Sequence, residues 1–288
     1  MDAEISHVSD TALMVAACRA METVREDGLV RDPYAARLAG ERGMAIARSL
    51  KAGTEDSGRL MVLQFGIGIR SYFLDELVRN AVTERGLGTV LCLGAGLDTR
   101  PWRLDLPESL RWIEVDFPDM LDYKSAALAG EKPRCRVERM TADLAHAEQR
   151  NAAFAAVGRE PALLITEGLL TYLAGSVIDA MAAGARGTGL RYWLLDAVSP
   201  LFEKAARLQT YTSIENVRAA GHLNGLEILD VLHRNGWLPV ERRSYITDAW
   251  MVAQERIKKM MPQSQEPPPP PSPEVLADPS GVHMLGRE

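Results

Sequence analysis

The sequence predicts an α/β fold: a Rossmann-like, mostly parallel seven-stranded sheet with helices on both faces, entered through an N-terminal helical cap. Three observations carry the prediction. Thr89 to Arg100 reads TVLCLGAGLDTR, an apolar run delivered into Gly94-Ala95-Gly96, which is a short buried strand followed by a tight glycine turn. Twenty-two residues after Gly94, a second apolar run (Trp112 to Val115) ends in Asp116, where doubly wound folds hold a nucleotide-type ribose. From residue 88 onward strand-like and helix-like stretches alternate, as βαβ units require.

Taken in order, residues 10–27 carry Leu13, Ala16, Ala17, Ala20, Met21 and Val24 at helical spacing. A second helix is expected from Pro33 to Leu50, with Asp32 as N-cap and Pro33 in the first helical position. Residues 60–85 read as a longer helix loosened by Gly66 and Gly68. Residues 1–85 therefore form the cap. The sheet domain spans 86–257, with strands expected at 89–93, 111–116, 135–140, 161–166, 190–197, 237–245 and 248–256. Helices fall between them at 117–129, 146–157, 175–185 and 225–235. A polar stretch at about 200–225 reads as an insertion that joins the cap. The last two strands, joined at Ile246-Thr247, are expected to form a hairpin with one antiparallel strand at the sheet edge.

Residues 258–288 differ in kind. Eight of the chain's 16 prolines lie there, five of them in one run from Pro267 to Pro271. Such a segment favours extended polyproline conformation and builds no core. The expectation is a disordered tail, rather than a ligand for a proline-recognition module, whose removal leaves the domain's stability unchanged.

Composition narrows the class of function. The 288 residues are 47% hydrophobic and 25% charged, with a formal net charge of -6 and no block of like charge. That argues against a nucleic-acid-binding face, which shows as a basic stripe. Cys18, Cys92 and Cys135 are far apart and form no C-x-x-C, so neither a disulfide framework nor a metal site is expected. Met1 to Ser9 carries Asp2 and Glu4 without a basic segment, and no stretch of 18 apolar residues occurs. The expectation is a cytoplasmic protein without a leader or membrane span.

In an open parallel sheet, ligands bind beyond the carboxyl ends of the strands. The expected ends here are Gly94-Ala95-Gly96, Asp116, Asp143-Leu144 and Thr166-Glu167-Gly168. Three acidic ends beside a glycine turn point to one crevice. A dinucleotide fingerprint would need glycine at 99, and the chain has Thr99, which leaves adenosine ligands without a pyrophosphate.

These residues resemble the S-adenosylmethionine-dependent class I methyltransferases of the leucine carboxyl methyltransferase family, including its bacterial polyketide-type O-methyltransferases. The resemblance runs from about Asp10 to Arg256. It rests on Asp32-Pro33-Tyr34, Arg70-x-x-Phe73, LGAGLDTR at 93–100, EVDFP at 114–118, Asp143-Leu144 and TEGLLTYL at 166–173. It implies S-adenosyl-L-methionine as cofactor. Arg70 would pair with the cofactor's carboxylate, Gly94 and Gly96 would let the methionine part approach, and Asp116 would accept from the ribose hydroxyls. Asp143 and Leu144 would hold the adenine, and Glu167 would face the amino group. Arg19 is offered as a second carboxylate contact. Asp98 and Arg100 read as structural supports of the first turn.

The reaction implied is methyl transfer to a carboxylate or hydroxyl of a small-molecule acceptor. A carboxylate is already ionised at neutral pH, whereas a hydroxyl profits from a base within reach. Tyr172 is the candidate for orienting the acceptor and His222 for the base. His146 is weaker, and His7, His233 and His283 read as incidental. The residues alone leave open an NAD(P)-dependent oxidoreductase and a non-catalytic cofactor-binding protein of the same fold. Oligomeric state is unreadable.

Overall fold

The computed structural model describes residues 8–49, 57–205, 219–260 and 272–287. Helix α1 (Val8–Thr23) packs on α2 (Ala35–Ser49), with Ala16 and Ala17 in one buried cluster with Leu38 and Ala39. Small residues let the two helices approach closely. A Cβ at Gly43 would meet the Leu13 carbonyl oxygen at 2.5 Å. Helix α3 (Ser57–Thr83) runs unbroken through Gly66 and Gly68. It turns Phe73, Leu74, Leu77 and Val78 onto the sheet.

The second helix begins later than the sequence suggests. Asp32 is buried, and its carbonyl accepts from the Ala35 amide at 3.2 Å through the turn that leads into the helix. One carboxylate oxygen accepts from Arg19 Nε at 2.9 Å and Thr99 Oγ1 at 2.7 Å, while the other accepts from the Tyr34 amide at 3.1 Å. Asp32 thus ties the cap to the turn after the first strand. Thr99, standing where a dinucleotide site would have glycine, supplies the hydroxyl for that tie.

The strands are β1 (Thr89–Leu93), β2 (Arg111–Asp116), β3 (Arg136–Thr141), β4 (Ala162–Thr166), β5 (Leu190–Ala197), β6 (Leu238–Ser244) and β7 (Gly281–Gly286). They form one sheet in the order β3-β2-β1-β4-β5-β7-β6. β1 lies parallel to β2 and β4, β2 to β3, and β4 to β5. β7 runs antiparallel to both of its neighbours. Alternate residues of the central strands feed two cores. Leu91, Leu93, Ile113, Val115 and Leu164 face α6 (Ala147–Val157), α7 (Gly175–Gly184) and α9 (Gly225–Arg234). Val90, Cys92, Trp112, Leu163 and Ile165 face α3. Glu114 sits fully buried in β2 because Lys124 Nζ on α5 (Pro118–Ala127) donates to it at 2.6 Å and Arg139 Nε on β3 at 2.9 Å.

The expected carboxyl-terminal hairpin is absent. Residues 248–256 lie in helix α10 (Thr247–Met260), where Ala249, Ala253 and Arg256 are buried at helical spacing and Trp250, Met251 and Val252 are exposed. The seventh strand is β7, inside the segment expected to be a disordered tail. It lies between β5 and β6, not at the edge, and its six residues are all buried. Short helix α11 (Pro273–Leu276), capped by Ser272 Oγ, precedes it. The Pro267–Pro271 run lies outside the described residues, as does half of the expected insertion at 200–225. Of that insertion, α8 (Pro200–Ala205) and residues 219–224 are described. Among the described residues, no helix is long and apolar enough to cross a membrane, and the three cysteines are buried and free.

Candidate active site

The order of strands reverses between β1 and β4, and the crevice of such a fold opens there, at the carboxyl ends. A cavity of about 620 Å³ occupies that position. Arg70, Gly94, Gly96, Asp116, Asp143, Leu144, Glu167, Tyr172 and His222 all line it. The sequence separates them by up to 152 residues (Arg70 to His222), and the topology gathers them at one edge.

Each side chain has an identifiable support. β1 delivers the chain into a turn where Gly94 has φ 63° and Gly96 φ 42°. That left-handed conformation suits glycine, and a Cβ at Gly94 would press on Leu169 Cδ1 at 2.9 Å. Asp116, at the end of β2, closes the turn. Its two oxygens accept from the Gly96 amide at 2.6 Å and the Phe117 amide at 2.7 Å. Burial pushes the Asp116 carboxyl above its ordinary pKa, against the pull of those amides. Asp143 accepts from the Ala145 amide at 2.9 Å and lies 3.3 Å from His146 Nε2. Leu144 is buried beside it.

At the far side of the turn the site is electrostatic. Glu167 follows β4 and meets Arg70 Nε at 3.0 Å and Arg100 Nη1 at 2.7 Å. Burial disfavours its charge, yet the guanidiniums of Arg100 and then Arg70 overcome that and hold the carboxyl down to about 2. Arg70 also pairs with Asp196 at 3.3 Å. The opposite oxygen of Asp196 accepts from the Gly168 amide at 2.6 Å.

Asp196 was not singled out in the sequence, although it stands near the end of the expected strand 190–197 and obeys the same strand-end rule. Arg100, at the start of the short helix α4 (Arg100–Arg103), reaches further than the first turn. Besides bonding Asp98 at 3.1 Å, it joins Glu167 to Asp75 of α3. Arg19 lines the cavity, but its Nε is bonded to Asp32 at 2.9 Å and its Nη2 to the Leu97 carbonyl at 2.6 Å. Those bonds hold the cap to the turn.

Above the glycine turn, Tyr172 lies in a short turn after β4 and its carbonyl accepts from the Ala219 amide at 3.2 Å. His222 bridges to Ala174. Its Nδ1 lies 3.2 Å from the Ala219 carbonyl. A carbonyl only accepts, so this contact puts the proton on Nδ1 and leaves Nε2 basic.

Comparison with known proteins shows the family. The family model for leucine carboxyl methyltransferases matches residues 12–185. The chain belongs to the leucine carboxyl methyltransferase family. A Streptomyces avermitilis protein with the provisional name S-adenosyl-L-methionine-dependent methyltransferase is 39% identical over 182 residues, 62% of this chain and 64% of the relative. A Frankia alni protein of the same provisional name is 38% identical over 196 residues, 64% of this chain and 68% of the relative. The chain thus matches about two thirds of the length of these relatives. A Thermobifida fusca crystal structure, provisionally a methyltransferase, superposes with a TM-score of 0.56 at 20% identity, covering 88% of this chain and 92% of its own. A second, of a DUF574 family protein from Streptomyces avermitilis, gives 0.55 at 13% identity over 95% and 97%. At such identities the likeness is one of fold, and the fold is the Rossmann-like class I methyltransferase fold. The family match spans the cap, the glycine turn and Glu167, and ends before His222.

Proposed function

We propose that this protein is an S-adenosyl-L-methionine-dependent O-methyltransferase acting on a carboxylate or hydroxyl of a small molecule. The observation that carries the reading is the gathering of Arg70, Gly94, Asp116, Asp143 and Glu167 around one cavity in a chain of this family. The residues fit the cofactor chemically. Arg70 and Glu167 offer a cation and an anion side by side to an amino-acid end, and arginine's fork suits a carboxylate. Asp116 uses one bond per oxygen on backbone amides, which leaves lone pairs for vicinal hydroxyls. No Cβ stands at Gly94 or Gly96 to fend off a ligand.

The bound sulfonium supplies the reactive methyl group, and the protein's share is position and electrostatics. Glu167, ionised throughout the physiological range, would hold an ammonium. Tyr172 would orient the acceptor. With a hydroxyl acceptor His222 Nε2 would take the proton, and a carboxylate acceptor would need no base. Membership of the family counts against the oxidoreductase alternative.

Thermal unfolding with S-adenosylhomocysteine, and separately with NAD, tests the reading. A ligand at about 100 times its Kd adds roughly 2.7 kcal/mol, which in a domain of this size raises the midpoint by several degrees. The expected result is a shift with S-adenosylhomocysteine alone. A shift with NAD alone would overturn the proposal.

A further inference from the structure

We infer that Arg100 is a positioning residue for Glu167, anchored in turn by Asp75 from the cap helix α3. The inference rests on the methyltransferase reading for what Glu167 binds, but not for how Glu167 is held.

Three contacts fix Arg100. Its Nη1 donates to Glu167 Oε2 at 2.7 Å and to Asp98 Oδ2 at 3.1 Å, while its Nε donates to Asp75 Oδ1 at 2.8 Å. Asp75 also takes both terminal nitrogens of Arg103, at 2.5 and 2.7 Å. Arg100 is only 2% exposed. A guanidinium so far from water is stable only when paired and hydrogen-bonded, and three carboxylates from three places in the chain do this.

The two arginines on Glu167 are not equivalent. Both touch the cavity, but Arg70 divides its charge between Glu167 and Asp196 and its side chain is 14% exposed, against 2% for Arg100. Arg70 is placed to meet a ligand. Arg100, four residues after Gly96, reaches Glu167 with its Nη1 while its Nε is committed to Asp75. It therefore grips Glu167 whatever Arg70 binds. Among the described residues, Arg19 on α1 also acts on Glu167, Asp98 after β1 shares Arg100 with it, and Asp196 on β5 shares Arg70. Without Arg100, burial works against the charge of Glu167 with only the shared Arg70 and the more distant Arg19 opposing it, and the carboxyl takes up a proton far more readily. A protonated carboxyl is a poor partner for an ammonium.

A purely structural role for Arg100 would lower stability but leave the titration of Glu167 and the pH dependence of binding unmoved. The test reads both. Carboxyl carbon-13 shifts of the ligand-free protein follow Glu167, assigned with Glu167→Gln. Calorimetry with S-adenosylhomocysteine follows affinity between about pH 5 and pH 8. In the wild type the Glu167 carboxyl is expected to stay ionised and the Kd to stay flat. In Arg100→Gln, Glu167 is expected to titrate inside that window, and affinity to fall about tenfold toward its acid end. Arg100→Lys, which keeps the charge, is expected to restore much of the flat profile. Asp75→Asn, which keeps Arg100 but weakens its anchor, gives a milder version of the same change and serves if Arg100→Gln does not fold. An unmoved Glu167 titration in folded variants overturns the inference. Failure of the wild type to bind S-adenosylhomocysteine overturns the proposed function instead, and the carboxyl titration still decides the positioning.

Discussion

Asp116 shows how far a single residue was readable. Its distance from the glycine turn and its place at a strand end make it the candidate ribose ligand, and the fold puts it in the cavity. Only the structure shows that it also braces the turn, through the Gly96 amide. Asp116→Ala is therefore expected to weaken S-adenosylhomocysteine binding by about 1.5–3 kcal/mol, as for loss of a charged hydrogen-bond partner, with some loss of order in the turn. Isothermal calorimetry on the folded variant checks it, and an unchanged Kd means that the ribose is held elsewhere. The strand-end rule that found Asp116, Asp143 and Glu167 applies equally to Asp196, whose pairing with Arg70 was legible in kind though not in partner. Asp75 was not legible at all, because nothing local marks a helix aspartate as the anchor of an arginine 25 residues on.

At the scale of elements, the central strands were readable because they are short apolar runs closed by glycine or acid. The error lies at the carboxyl end, where two signals competed. Ala249 to Ala253 is an unbroken apolar run of strand length, but Asp248 Oδ2 accepts from the Ser244 amide at 2.7 Å at the helix start, and Arg256 is buried against Glu22 one turn on. Those tertiary contacts favour a helix. β7 is buried on both faces, so it shows no alternation, and the surrounding prolines masked its six residues. His283, read as incidental, sits in that strand with Nε2 2.8 Å from the Pro279 carbonyl. Burial, chiefly, lowers its pKa from 6.5 to about 4. The imidazole is thus neutral when folded, while the unfolded chain takes up the proton first as pH falls. Its contribution to stability is complete above pH 6.5 and drains away toward pH 4, by about 1.4 kcal/mol per pH unit at most. His283→Gln is expected to flatten that part of the denaturant-midpoint profile against pH. Parallel profiles for the two proteins would show that His283 does not titrate this way.

For the whole molecule, β7 decides where the domain ends. A reading from composition stops the domain near residue 257 and treats the rest as dispensable. In the structure β7 is hydrogen-bonded on both sides, to β5 from Tyr192 to Ala197 and to β6 from Leu238 to Ser244. Val282, Met284 and Leu285 are fully buried, on both faces of the sheet. Beside it, Ser199 Oγ is hydrogen-bonded to Asp278 and the Ser199 amide donates to Ser280 Oγ at 2.8 Å. Removing residues 272–288 withdraws three large apolar side chains, at about 1.5–3 kcal/mol each. It also opens unpaired edges on β5 and β6. A domain holds only about 5–15 kcal/mol in all, so the hydrophobic term alone is comparable to a large share of it. The truncated chain is expected to lose its cooperative thermal transition and to aggregate through its exposed strand edges. Replacing only the Pro267–Pro271 run with glycine and serine leaves β7 in place and is expected to keep the melting temperature within a few degrees. If instead the chain ending at residue 271 melts cooperatively at the wild-type temperature, β7 is not part of the folded sheet and the domain ends where composition places it.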